Sequence, residues 1–146
     1  MLQNKHMKKV IILILVLLAT QQGFSQAIVT YQFSNVDKLG IGYQFSQKLW
    51  GDLRIHNLET TEDLSFDIIA LNNLVHRNHH DFYIGAGVNI SNYFETVGLV
   101  VPIGVQISPF TTAPQLFFSV EIDNYIYDFD AGFEMPFALG IRYKFK

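Results

Sequence analysis

Between Phe137 and Phe145 every second residue is large and apolar: Phe137, Leu139, Ile141, Tyr143 and Phe145 alternate with Ala138, Gly140, Arg142 and Lys144. Successive side chains of a β-strand point to opposite faces, so this period of two predicts a strand with one apolar face. The same rhythm recurs upstream. Leu39, Ile41, Tyr43 and Phe45 alternate with glycines and polar residues, as do Phe82, Ile84, Ala86, Val88 and Ile90. Leu99, Val101, Ile103, Val105 and Ile107 form another set, and Leu116, Phe118, Val120 and Ile122 another. Shorter runs sit at Val29, Tyr31 and Phe33, at Leu49, Leu53 and Ile55, and at Leu64, Phe66, Ile68 and Ala70. The pattern predicts eight strands, joined by connections at 34–38, 57–63, 72–81, 91–96, 108–114 and 123–134. No window of eighteen apolar residues follows Gln26, so these residues hold no spanning helix.

Eight antiparallel strands remove their exposed edges by closing into a barrel. Two barrels fit. A lipocalin-type barrel turns its apolar face inward, to a ligand; a membrane barrel turns it outward, to lipid. The second face decides between them. It holds mostly Gly, Ala, Ser, Asn and Gln, where a water-facing exterior calls for Lys, Glu and Asp. Small residues suit the interior of an eight-stranded barrel, which side chains just fill. The expected fold is therefore all-β: a closed antiparallel eight-stranded transmembrane β-barrel over residues 26–146. The lipocalin-like barrel with an apolar ligand is the alternative. Pro102 removes a ladder donor and predicts a local bulge.

Composition narrows the function. Charged residues are 16% against about 25% in soluble domains. Aromatics at 14% exclude a disordered chain. The absence of cysteine excludes a disulfide scaffold, a thiolate metal site and a cysteine nucleophile. A net charge of −3 gives no basic footprint for nucleic acid. Ahead of the strands, Lys5, Lys8 and Lys9 precede the ten apolar residues from Val10 to Ala19, and Gly23 and Ser25 stand at −3 and −1 of a cleavage site. This is a signal-peptide pattern over residues 1–25. Ten residues reach about 15 Å as a helix, half a bilayer core. Removal of 25 residues leaves 121, with seven basic and thirteen acidic side chains and a charge of −6.

With both termini on the periplasmic side, the connections near 34–38, 57–63, 91–97 and 123–135 are external. They carry Asp37, Glu59, Glu62, Asp63, Glu95, Asp128, Asp130 and Glu134, an acidic rim. Tyr93, Phe94, Tyr125, Tyr127, Phe129 and Phe133 fall at that end, and Trp50, Phe110, Tyr143 and Phe145 at the other, as two aromatic girdles.

The stretch from Phe137 to Phe145, with Gly140, Tyr143 and Phe145 at the glycine and aromatic positions, resembles the closing strand and assembly signal of bacterial outer-membrane barrels. The segments Phe82–Asn89 and Val101–Pro109 are also similar to the small outer-membrane β-barrel family of Gram-negative bacteria. The resemblance covers roughly residues 80–145. It implies location in the cell outer membrane, contact with outer-membrane lipids, and handling by the barrel-assembly machinery during insertion through strand addition. That family has no common catalytic motif and implies no site.

Candidate chemistry is sparse. His76, His79 and His80 beside Asp81 could offer imidazole to a metal, but neighbouring strand residues point apart and Arg77 repels a cation. Asp128-Phe129-Asp130 lacks the glycine and spaced acids of a calcium loop. His56, with Thr60, Thr61 and Glu62 nearby, raises a third reading, a lipid-modifying enzyme, although no spacing here demonstrates the contact a nucleophile and base require. No glycine-rich phosphate loop is present; Gly85-Ala86-Gly87 lies inside a strand. Cofactor, metal and catalytic residues are accordingly expected to be none. The polar face also carries Asp52, Arg54, Asp67, Glu121 and Arg142, expected to form a structural network in the lumen. Hairpin symmetry sets Arg54 opposite Asp67 and predicts that pair to bond. N-terminal sequencing of the mature protein is expected to read from Gln26 or within a residue or two; a retained Met1 marks an anchor instead.

Overall fold

A strand with one apolar face must cover that face, and an edge strand must find a partner; in this chain the second need is met by closure. The computed structural model describes residues 27–56, 64–91, 96–127 and 133–145. The signal segment, Glu59, Glu62, Asp63, Tyr93, Phe94, Glu95 and the Asp128–Asp130 stretch lie outside the described residues. The strands are β1 (Ala27–Phe33), β2 (Lys38–Gln44), β3 (Leu49–His56), β4 (Ser65–His76), β5 (His80–Ser91), β6 (Thr96–Ile107), β7 (Leu116–Ile126), β8 (Phe133–Glu134) and β9 (Phe137–Lys144). From β1 to β7 each strand pairs antiparallel with the next. Both β8 and β9 pair with β7, forming one stave interrupted at residues 135–136. β9 then pairs with β1, Ile28 opposite Lys144 and Phe33 opposite Leu139, so eight staves close.

The faces divide as the alternation predicts. Ile103, Val105, Phe118, Leu139 and Ile141 all point outward, with exposures between 37% and 50%. Thr30, Gln32, Asn89, Gln106 and Ser119 are buried in the lumen. Ile28, Trp50, Leu71 and Tyr83 pack there as an apolar layer on the side of the termini. Gly104 lines the same layer for want of space: a Cβ there would stand 2.5 Å from the Tyr83 ring.

Four local expectations are corrected. The connection expected at 72–81 shrinks to residues 77–79, because β4 runs on to His76. A bulge makes this possible: Asn73 pairs with Tyr83 but Val75 with Phe82, which leaves Leu74 unpaired. Alternation breaks there, and both Leu74 and Val75 face outward. The bulge expected at Pro102 is absent. Ile84 opposite Ile103 and Gly87 opposite Val100 keep one register, with two pairs missing between them. The Pro102 ring is accommodated in the lumen by Gly85, whose Cβ would lie 2.9 Å from Pro102 Cγ. On the outer side Asn124 Nδ2 donates to the Val101 carbonyl at 2.8 Å.

Trp50 and Tyr125, expected in the girdles, are instead buried in the lumen. Each keeps the phase of its charged neighbours, Asp52 and Glu121, rather than that of the aliphatic face. Tyr43, Phe45, Phe110, Tyr143 and Phe145 remain exposed at the terminus-side end, and Phe33, Phe133 and Phe137 at the other. Ile103 lies near the middle of β6 on the outer face. Ile103→Arg is expected to lower folding stability in lipid vesicles by about 2–4 kcal/mol, read by urea titration, whereas a water-facing position would tolerate it.

Candidate functional site

Charges removed from water must find partners or they unfold the protein. The lumen phase of β3 carries Asp52, Arg54 and His56, and that of β7 carries Glu121, Asp123 and Tyr125. Arg54 reaches across from β3. Its Nη1 and Nη2 both donate to Glu121, the latter to Oε2 at 3.1 Å, a two-pronged contact of the kind that fixes geometry. Its Nε donates to Asp52 Oδ2 at 2.9 Å, and Nη1 also meets Asp123 Oδ1 at 3.3 Å. Glu121 further accepts from Tyr83 OH at 2.6 Å and Gln32 Nε2 at 3.0 Å. Lys38, from β2, donates to Asp123 and to Tyr125 OH.

Tyr125 links this cluster to a second one, donating to Asp67 Oδ2 at 2.7 Å. Asp67 also contacts His56 Nε2 at 2.5 Å and accepts from Asn89 Nδ2 at 2.6 Å. Arg142 stands apart toward the termini. It donates to Thr30 Oγ1 at 3.1 Å and Gln106 Oε1 at 2.6 Å, with its guanidinium over the Trp50 and Tyr83 rings. Gln106 in turn donates to Asp81, which contacts His76.

All five residues expected in the lumen are therefore buried there, and Arg54 joins Asp52 and Glu121. The expected Arg54–Asp67 bond does not form. The two are directly opposed in register, yet their side chains take different partners. Arg54 is long enough to reach β7, while Asp67 stays with His56 and Asn89 beside it. Cross-lumen contacts thus displace the cross-strand pair. Lys38, Asp123 and Tyr125, which fall in the connections the pattern predicts, are members of the cluster. Phase was the missed signal: Asp123 and Tyr125 continue the Glu121 series, and Lys38 continues Gly40 and Gly42.

Other candidates resolve plainly. His76 is bound to Asp81, while His79 and His80 are exposed; among the described residues no group of three or more His, Asp or Glu is arranged to hold a metal ion. Ser65 lies directly opposite His56 and its hydroxyl donates to Ser91 Oγ at 3.2 Å; Thr60, Thr61 and Glu62 lie outside the described residues. Gly140 faces the lumen against Ser119 Oγ, whereas Tyr143 and Phe145 stand outside with ring centroids 4.9 Å apart. At the mouth away from the termini is a cavity of about 180 Å3, lined by Lys38, His56, Asn89, Tyr125 and Tyr127 among others. Burial, with Glu134 adding to it, pushes the Tyr127 phenol beyond β7 up to about 12, so it stays neutral. Of the expected acidic rim, Asp37 and Glu134 are described; Asp37 accepts from Tyr31 OH at 2.7 Å.

No protein-family model matches the chain, and no curated protein does. Solved structures match its fold. The N-terminal β-barrel domain of Pseudomonas aeruginosa OprF aligns with a TM-score of 0.60 at 13% identity, over 81% of this chain and 94% of that one. Neisserial surface protein A (NspA) aligns at 0.53 and 14% identity, over 82% and 94%. A de novo designed transmembrane β-barrel aligns at 0.59 and 16% identity, over 81% and 92%. The chain thus has the closed, antiparallel eight-stranded fold of outer-membrane barrels.

Removing one partner from a buried ionic cluster costs about 3–5 kcal/mol. Arg54→Met leaves Asp52, Glu121 and Asp123 without their shared cation and is expected to lose that much in urea unfolding. Adding Glu121→Gln is expected to recover part of the loss.

Proposed function

We propose that this protein is an outer-membrane barrel with a structural or surface-interaction role, without an open pore and without catalysis. The observation that carries this reading is the polarity of the wall: large apolar side chains outside, and a hydrogen-bonded ionic cluster inside. A lipocalin-like carrier needs the reverse arrangement. Eight strands leave no aqueous channel, and here Trp50, Arg54, Tyr83 and Arg142 fill the lumen with fully buried bulk.

In this reading the outer face meets outer-membrane lipids. Gly140, Tyr143 and Phe145 on β9 present the assembly signal to the barrel-assembly machinery. The packing of Gly140 against Ser119 gives that glycine a second reason to be small. The end away from the termini, where Asp37 and Glu134 are the described members of the acidic rim, is the surface offered to external partners.

Cell fractionation followed by gel electrophoresis with and without boiling tests the proposal. The protein is expected in the outer-membrane fraction, with a mobility shift on heating, and purified barrel is expected to give no stepwise conductance in planar bilayers. A soluble protein without a heat shift, or steady ion conductance, overturns it.

A further inference from the structure

The two halves of the lumen treat their cations differently. On the side away from the termini, Arg54 and Lys38 each contact carboxylates. On the terminus side, Arg142 and Lys144 lie two residues apart on β9 and therefore share the lumen face. Arg142 is fully buried, and its Nη2 has no hydrogen-bond partner. Lys144 is half-buried at the mouth, its ammonium 5.9 Å from the Trp50 centroid and 4.4 Å from that of Phe117, within electrostatic reach of Arg142 and Asp81 but hydrogen-bonded to neither. Trp50 is itself buried, and its Nε1 is also without an acceptor. The carboxylate on that side, Asp81, is engaged by Gln106 and His76, and Gln106 stands between it and Arg142.

Arg142 Nη2, Lys144 Nζ and Trp50 Nε1 thus lie about one indole ring, two of them cationic, and among the described residues none of the three meets a hydrogen-bond acceptor. A buried donor without a partner costs about 1–3 kcal/mol, and more when charged. Water supplies an acceptor but leaves two like charges side by side. An oxyanion supplies both negative charge and several acceptor oxygens, and guanidinium and ammonium groups are its usual partners. We propose that Arg142, Lys144 and Trp50 form a binding site for a phosphate-type oxyanion at the terminus-side mouth of the lumen. Free phosphate and the phosphoryl head group of a lipid in the adjoining leaflet share this chemistry. Lys144, nearest the mouth, receives the anion; Arg142 and the indole N–H hold it.

Trp50 is the only tryptophan in the chain, so its emission reports on the site directly. The folded barrel in an uncharged, phosphate-free detergent is titrated with inorganic phosphate, with chloride holding ionic strength constant. A second titration uses short-chain phosphatidylglycerol. A saturable change in Trp50 emission is expected with at least one probe, and its midpoint is expected to rise at least tenfold in Lys144→Gln. Saturation by phosphate identifies the free ion as sufficient; saturation by the lipid alone identifies the head group. Lys144→Gln, at the mouth, carries the test should Arg142→Gln fail to fold. No saturable change beyond the chloride control with either probe, or equal midpoints in wild type and Lys144→Gln, overturns the proposal and leaves these donors to water.

Discussion

The contact on which the lumen depends is the one between the Arg54 guanidinium and the carboxylates around it. Arg54 spans from β3 to β7, and through Glu121 it gathers Tyr83 and Gln32. Asp52 and Asp123 then share its remaining charge. Without Arg54, three carboxylates would crowd a space closed to water. The cost of desolvating these groups is met only because each finds a charged or polar partner, which also limits the ways they can be arranged. The barrel is thus filled by a cluster that demands one register of its strands, whereas an aliphatic filling would tolerate several.

Closure sets the second constraint. Every stave must pair on both sides, so irregularities are absorbed locally. Pro102 takes two pairs out of the β5–β6 ladder without shifting it, and Asn124 satisfies the Val101 carbonyl from the other side. The bulge at Leu74 turns two successive apolar residues outward where strict alternation would have buried one of them. Both devices protect the division between an apolar outside and a polar inside.

That division was legible from period two alone, because alternation is a property of single strands. All eight staves and the outward face of Ile103, Phe118 and Leu139 followed from it. What alternation lacks is reach across the lumen. It set Arg54 opposite Asp67 correctly, yet Arg54 bonds to residues on a strand 67 positions later. It also lost strand ends, where polar residues such as Lys38 and Asp123 read as turns although they keep the lumen phase. Trp50 and Tyr125 depart from expectation for the opposite reason. Aromatic character suggested the interface, and their phase, which pointed inward, was the better guide.

The unequal staves carry a mechanical consequence. Among the described residues β1, β2 and β3 run for seven or eight residues, while β4, β5 and β6 run for twelve. A bilayer core asks for about nine to eleven tilted residues per strand. One side of the cylinder therefore falls short of the hydrocarbon thickness and the other exceeds it. A membrane surrounding such a wall thins along β1 to β3, or the barrel leans to share the mismatch, so lipids are packed unevenly around its circumference.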